Sequence, residues 1–175
     1  MITPEFSRLI PVDRIGLKEK SFDIEADAKE LKALAQRLGI PQVRSAKASV
    51  ALKLIRGGTV VLLKGRVQAA LVQNCVVTLD PVQTEVDEEF TLTYSVESKH
   101  GPAEVVVDLA EEDPPEPVEN GQIDIGEAAA EHLALAMDPF PRAPGVSFQP
   151  LPEEPVEEPK KVSPFEVLAS PRKKV

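Results

Sequence analysis

The chain reads as an α+β domain: an antiparallel, curled or barrel-like β-sheet covered by two helices, with a disordered C-terminal tail. Three observations predict this. Apolar and polar residues alternate with period two through most of 43–96, the signature of strands with one buried face. Two stretches, 26–38 and 125–137, instead space their apolar residues as helices do. Proline accumulates at the end of the chain, with nine of 17 in residues 139–175.

Residues 5–12 form an entry strand. The first helix covers 26–38, with Ala28, Leu31, Leu34, Ala35 and Leu38 on one side, Asp27 as cap, and Gly39 and Pro41 as stop signals. A long hairpin follows. The even positions Ala46, Ala48, Val50, Leu52 and Leu54 of 43–56 are apolar, as are the odd positions Val61, Leu63, Val67, Ala69 and Leu71 of 59–73. Gly57-Gly58 is a two-residue turn signal. Pairing Arg56 with Thr59 sets Leu54 against Val61, Leu52 against Leu63 and Ala48 against Val67, so turn and alternation choose the same register.

Asp80-Pro81 turns the chain into a third strand, 84–96, with Val86, Phe90, Leu92, Tyr94 and Val96 on one face and acids on the other. A short strand at 104–108, an acidic loop at 110–120 and a helix over about 125–137, stopped by Pro139, complete the domain. Its boundaries are 1–148. Residues 149–162, rich in proline and glutamate, cannot bury enough surface to offset their ordering entropy and read as a flexible linker. Residues 163–175 hold an apolar Pro-Phe-Glu-Val-Leu-Ala motif with a basic end.

Charge is segregated along the chain. Residues 31–79 contain eight bases (Lys32, Arg37, Arg44, Lys47, Lys53, Arg56, Lys64 and Arg66) and no acid, whereas 80–138 contains seventeen acids and one base, Lys99. The net charge of −9 conceals this layout. In the hairpin register Lys47, Lys53, Lys64 and Arg66 fall on the non-core face, a basic surface fit for a polyanion. Outward Lys and Arg also serve simply to keep a sheet soluble. Aromatic side chains of the kind that stack on unpaired bases are scarce, so phosphate contact would dominate any RNA binding.

Catalytic chemistry is not indicated. His100 and His132 have no nucleophile pattern near them, and phosphate-loop, GxGxxG, HExxH and nucleophile-elbow signatures are missing. The single cysteine, Cys75, excludes an internal disulfide framework and a Cys-only zinc site, and it lies on the buried parity of its strand. No catalytic residue, cofactor, metal ligand or small-molecule substrate is expected. Neither is a secretory signal or membrane span, so the reading is cytoplasmic.

Three blocks carry a family resemblance. Cys75-Val76-Val77-Thr78-Leu79-Asp80-Pro81-Val82 resembles the C-x-R-C-L-x-P block of the YceD family, the large ribosomal RNA subunit accumulation proteins. Gly121-Gln122-Ile123-Asp124-Ile125, with the helix ending Leu133-Ala134-Leu135-Ala136-Met137-Asp138-Pro139, resembles that family's G-x-I-D-L stretch and leucine-rich helix end. Ser163-Pro164-Phe165-Glu166-Val167-Leu168-Ala169-Ser170 resembles its C-terminal N-P-F-A-V-L-A signature. The chain departs from the pattern at Val77 and Thr78, where the family has Arg and Cys, and at Pro171. Pro141-Arg142-Ala143-Pro144-Gly145-Val146 stands where many relatives have further cysteines, so a zinc site built on those cysteines is not expected here. Gly145-Val146-Ser147-Phe148 resembles the cysteine-poor branch associated with alphaproteobacteria.

The resemblance implies a non-enzymatic bacterial factor needed for 23S rRNA accumulation. The sheet face of Lys47, Lys53, Lys64 and Arg66 would contact large-subunit rRNA precursor. Pro164, Phe165, Val167 and Leu168 would dock into a protein groove, with Arg172, Lys173 and Lys174 adding contacts to phosphate or an acidic surface. The alternative is a protein-only adaptor whose acidic half, 80–138, binds basic ribosomal proteins.

Overall fold

The structure, a computed structural model, describes residues 4–96 and 114–147. Its elements are β1 (Leu9–Pro11), β2 (Lys20–Glu25), α1 (Ala28–Leu38), β3 (Gln42–Ile55), β4 (Val60–Asn74), β5 (Pro81–Ser95), β6 (Glu116–Pro117), β7 (Gln122–Asp124) and α2 (Ile125–Ala136). The predicted strand at 104–108 and the tail lie outside the described residues.

Five strands form one sheet in the order β2-β3-β4-β5-β6, and β1 pairs with β7 in a second, two-stranded sheet. Among the described residues both sheets are open: β2 and β6 are edges, and the larger one does not close into a barrel. The fold is α+β. The sheet is also mixed, because β6 runs parallel to the end of β5, pairing Tyr94 with Glu116.

The β3–β4 register is the one that the alternation selects: Leu54 faces Val61, Leu52 faces Leu63 and Ala48 faces Val67. The turn differs. The ladder ends at Ile55–Val60 and the loop is four residues long, with Arg56, Gly57 and Gly58 all at positive φ and the Thr59 hydroxyl donating to the Arg56 carbonyl. The extra left-handed residue, Arg56, turns the chain one position earlier without changing the register. A bulge between Val43 and Ser45 shifts the pairing by one at the far end.

β5 begins at Pro81, three residues before the predicted start. Proline is tolerated there because it is the first residue of the strand. The entry strand shrinks to Leu9–Pro11. β2 has no counterpart in the sequence reading, although Phe22 and Ile24 alternate with Ser21, Asp23 and Glu25; it pairs along β3 from Lys20–Leu52 to Glu25–Lys47.

The core lies on one face of the large sheet. Val50 and Leu52 of β3, Val61, Leu63, Val67 and Leu71 of β4, and Val86 and Phe90 of β5 join Leu34 and Ala35 of α1 and Ile125, Ala129 and Leu133 of α2 in a single buried cluster. α1 packs on β3, and α2 on β4 and β5. Each fully buried leucine contributes roughly 1.5–3 kcal/mol by leaving water.

One aromatic ring sets how α2 sits. Phe90 lies across Gly65 on the neighbouring strand, so that a Cβ at residue 65 would be 2.3 Å from Phe90 Cζ. On its other face Phe90 stacks on His132 of α2, with centroids 4.2 Å apart and planes 12° from parallel. Glycine leaves the space, and the ring fills it and meets the helix.

Both helix N-termini converge on the segment Ser7-Arg8. Asp124 caps α2 by accepting from the N–H groups of Gly126 and Glu127, both at 3.1 Å. It also accepts from the Ser7 hydroxyl and, at 2.7 Å, from the Arg8 N–H. The Ile125 N–H donates to the Arg8 carbonyl at 3.1 Å. Gly126 allows this approach, since a Cβ there would lie 2.3 Å from the Phe6 carbonyl oxygen.

At α1, Asp27 and Glu30 form a capping box, and the Arg8 guanidinium grips Glu30 in a two-point contact at 2.6 and 3.0 Å. The Arg8 hydrogen bond holds the Glu30 carboxyl below its ordinary range, while Glu30 raises Arg8.

Two expectations follow. Asp124→Ala should cost at least about 2 kcal/mol, because it removes a cap and strands two further donors, against about 1 kcal/mol for Asp27→Ala; paired thermal melts measure the difference. Gly65→Ala should lower the melting temperature by several degrees through overpacking against Phe90. Gly16→Ala, whose Cβ would meet nothing closer than 3.9 Å, should be near neutral.

Candidate nucleic-acid interface

The outward face of the large sheet is built from odd positions of β2, β3 and β5 and even positions of β4. Their registers align into rows across the sheet. One row runs Glu25, Lys47, Gln68, Asp87; the next Asp23, Ser49, Arg66, Glu89; the next Ser21, Ala51, Lys64, Thr91. Lys53 then stands opposite Leu62, with Thr93 beyond. All four sequence-predicted bases therefore share this face.

They do not share one environment. Arg66 makes two 2.6 Å hydrogen bonds to Asp87 and approaches Glu89 at 3.9 Å. The Arg66 hydrogen bond, assisted by Gln68, brings the Asp87 carboxyl down to about 2, and Asp87 in turn raises Arg66. Lys47 lies 3.4 Å from Glu25, and the Ser49 hydroxyl donates to Asp23. Toward the hairpin tip the cross-strand neighbours are serine, alanine, leucine and threonine. There Lys53 and Lys64 have no ion pair among the described residues.

The missed strand β2 supplies Asp23 and Glu25 on one flank, and β5 supplies Glu85, Asp87 and Glu89 on the other. These acids lie outside the acid-free window, and pairing carries them onto the same face. The signal for β2 was the Phe22/Ile24 alternation. Between the paired and unpaired halves lies a shallow trough of about 560 Å³ lined by Ser21, Ser49 and Ala51, with Lys64, Arg66 and the acid Glu89 at its side.

The first family-like block meets the segment that follows the second. In the β4–β5 turn the Cys75 N–H donates to the Asp80 carbonyl and the Leu79 N–H to the Cys75 carbonyl, at 2.8 and 2.9 Å. The segment after α2 lies against it. The Val76 N–H donates to the Pro141 carbonyl at 2.9 Å, and the Ala143 N–H points to Cys75 Sγ at 3.4 Å. Gln73, the buried polar side chain beside this turn, donates to the Asp138 carbonyl and accepts from Thr84.

Cys75 is fully shielded from solvent, as its strand parity predicts. The Thr78 hydroxyl and the N–H groups of Ala143, Thr78 and Val77 outweigh that burial and bring its thiol down to about 7. Among the described residues no group of three or more His, Cys, Asp or Glu side chains is placed to hold a metal ion, and no helix is long and apolar enough to cross a membrane. Pro164, Phe165, Val167, Leu168, Arg172, Lys173 and Lys174 lie outside the described residues.

Fold and face together define a small α+β protein that presents a charged open sheet. The family model described as large ribosomal RNA subunit accumulation protein YceD matches residues 63–170, more than half of the chain, and the chain belongs to this family. The matched span begins within β4 and ends just short of the basic residues Arg172–Lys174. No curated protein and no solved structure matches the chain.

Arg66→Gln should return the Asp87 carboxyl from about 2 toward its ordinary value of 3.8, which carboxyl-detected NMR titration would read directly. An unchanged Asp87 would mean that the pair is not formed in solution.

Proposed function

We propose that the protein is a non-enzymatic, cytoplasmic ribosome-biogenesis factor that promotes accumulation of 23S rRNA by contacting precursor rRNA of the large subunit. The family description supports the process. The observation that supports direct contact is that Lys53 and Lys64 have no ion pair among the described residues and that Lys64 lines a trough with Ser21, Ser49 and Ala51. Small residues let a phosphate-sugar backbone approach the sheet, where Lys64 meets it, and Lys53 one row nearer the hairpin tip extends the contact.

Arg66 and Lys47 contribute differently. Each must leave or share a carboxylate to reach a phosphate, so they adjust orientation more than affinity. With few aromatic platforms available, recognition rests on backbone charge and shape. The tail residues Pro164, Phe165, Val167 and Leu168, with Arg172–Lys174, supply a second contact, to protein.

Lys53→Glu/Lys64→Glu in the full chain should weaken binding to a 23S precursor fragment and reduce the slope of log K against log salt by about 1 per lysine removed. Lys47→Gln should change it far less. Binding that ignores the double reversal would sink the sheet-face model. It would favour the second reading, an adaptor for basic ribosomal proteins, for which the interleaved carboxylates of β2 and β5 and the acids near α2 are the supporting observation.

A further inference from the structure

At the end of the molecule away from the Cys75 turn, a groove of about 570 Å³ opens between the tip of β5, strand β6, the turn into β7 and the first half of α2. Its floor is apolar: Tyr94, Pro117, Val118, Ile123 and Ala128 line it, and Leu9, 56% exposed, stands at its mouth. Its rim is acidic on both sides, with Glu116 and Glu119 on the strand side and Glu127 and Glu131 on the helix side.

One of these acids is already engaged. Glu127 binds Arg37 through two hydrogen bonds, the longer at 2.8 Å. Glu116, Glu119 and Glu131 have no ion pair among the described residues. The potential they leave is felt locally: burial, then Glu127 and Glu116, raise the Glu131 carboxyl, and burial with Glu116, Glu131 and Asp124 raises the Tyr94 phenol. An apolar slot walled by carboxylates, three of them without an ion pair among the described residues, fits an extended peptide with apolar anchors between basic flanks.

The chain carries such a peptide. Residues 159–175 contain five bases, Lys160, Lys161, Arg172, Lys173 and Lys174, one acid, Glu166, and between the flanks the motif Phe165-Glu166-Val167-Leu168. We propose that this C-terminal segment docks in the acidic groove of its own domain, with Phe165 and Leu168 on the apolar floor and the two basic flanks against the carboxylate rims.

Reach permits it. The described residues end at Ser147, and residues 148–158 span up to about 36–40 Å when extended. α2, which separates the Cys75 end from the groove, is about 18 Å long. Glu153, Glu154, Glu157 and Glu158 in the intervening stretch are repelled by the rim, so only the basic segment beyond them enters. A tether of this length holds the segment at millimolar effective concentration, enough for a weak contact to be occupied. A partner, whether rRNA or a protein, then has to draw the tail out. The docking itself does not depend on the rRNA reading.

The test is hydrogen exchange of the full chain against the full-length variant Phe165→Ala/Leu168→Ala/Lys173→Glu/Lys174→Glu, whose changes lie outside the described fold. Backbone amides of 116–124 should exchange about tenfold faster in the variant, and high salt should reproduce part of the effect in the unmodified chain. Glu116→Lys/Glu131→Lys, combined with Lys173→Glu/Lys174→Glu alone, should restore protection. No difference at 116–124, or a difference confined to the surface around Val76 and Phe140, would overturn the proposal. Protection that disappears on dilution would also overturn it, because the occupant would then be the tail of a second copy.

Discussion

The fold depends on how the segment Ser7-Arg8 is held between the N-termini of the two helices. Arg8 alone offers its N–H to Asp124, its carbonyl to Ile125 and its guanidinium to Glu30. Each helix start leaves N–H groups that must find acceptors, and here both caps are carboxylates: the backbone and hydroxyl of Ser7-Arg8 orient Asp124 directly, while the Arg8 side chain holds Glu30, the capping-box partner of Asp27. The Gly121–Ile125 motif becomes intelligible in these terms. Ile123 and Ile125 enter the core on either side of Asp124, Asp124 caps, and Gly126 admits the Phe6 carbonyl. Helices and strands far apart in sequence are thereby fixed relative to one another before any side chain of the sheet face is considered.

On that sheet face, segregation of charge along the chain becomes interdigitation in space. Antiparallel pairing lays a basic hairpin between two acidic strands, and cross-strand neighbours then decide which cations are free. Arg66 and Asp87 are 21 residues apart in the chain and form a two-point ion pair; Lys64, two residues before Arg66, faces only alanine and threonine. Surface pairs of this kind contribute little to stability, but they narrow the surface on which an incoming polyanion finds uncommitted charge.

Sequence made the hairpin register legible because two independent signals, the turn and a period-two pattern over the eleven pairs from Ser45–Ala70 to Ile55–Val60, had to agree, and a slip of one residue would invert the face. The helix limits were legible from Asp27, Gly39 and Pro139. What escaped was non-local or weak. β2 has only two apolar residues in six, and it is held by pairing to β3. β6 is two residues long and carries no pattern. Closure into a barrel depends on whether edge strands meet, which alternation within a strand does not encode. The four bases could be placed on one face from sequence, but their partners could not, because those partners belong to a strand the reading lacked and to a register with β5 that no turn signal specified.

Gly65, Phe90 and His132 come from three different elements yet occupy a single stack. A side chain at position 65 evicts the ring, a smaller residue at 90 leaves a void over the glycine, and either change takes away the surface on which the imidazole rests. The three positions are therefore free to drift in evolution only as a set. Among related chains, a change at one should be accompanied by changes at the other two, and the angle of the second helix on the sheet should move with them.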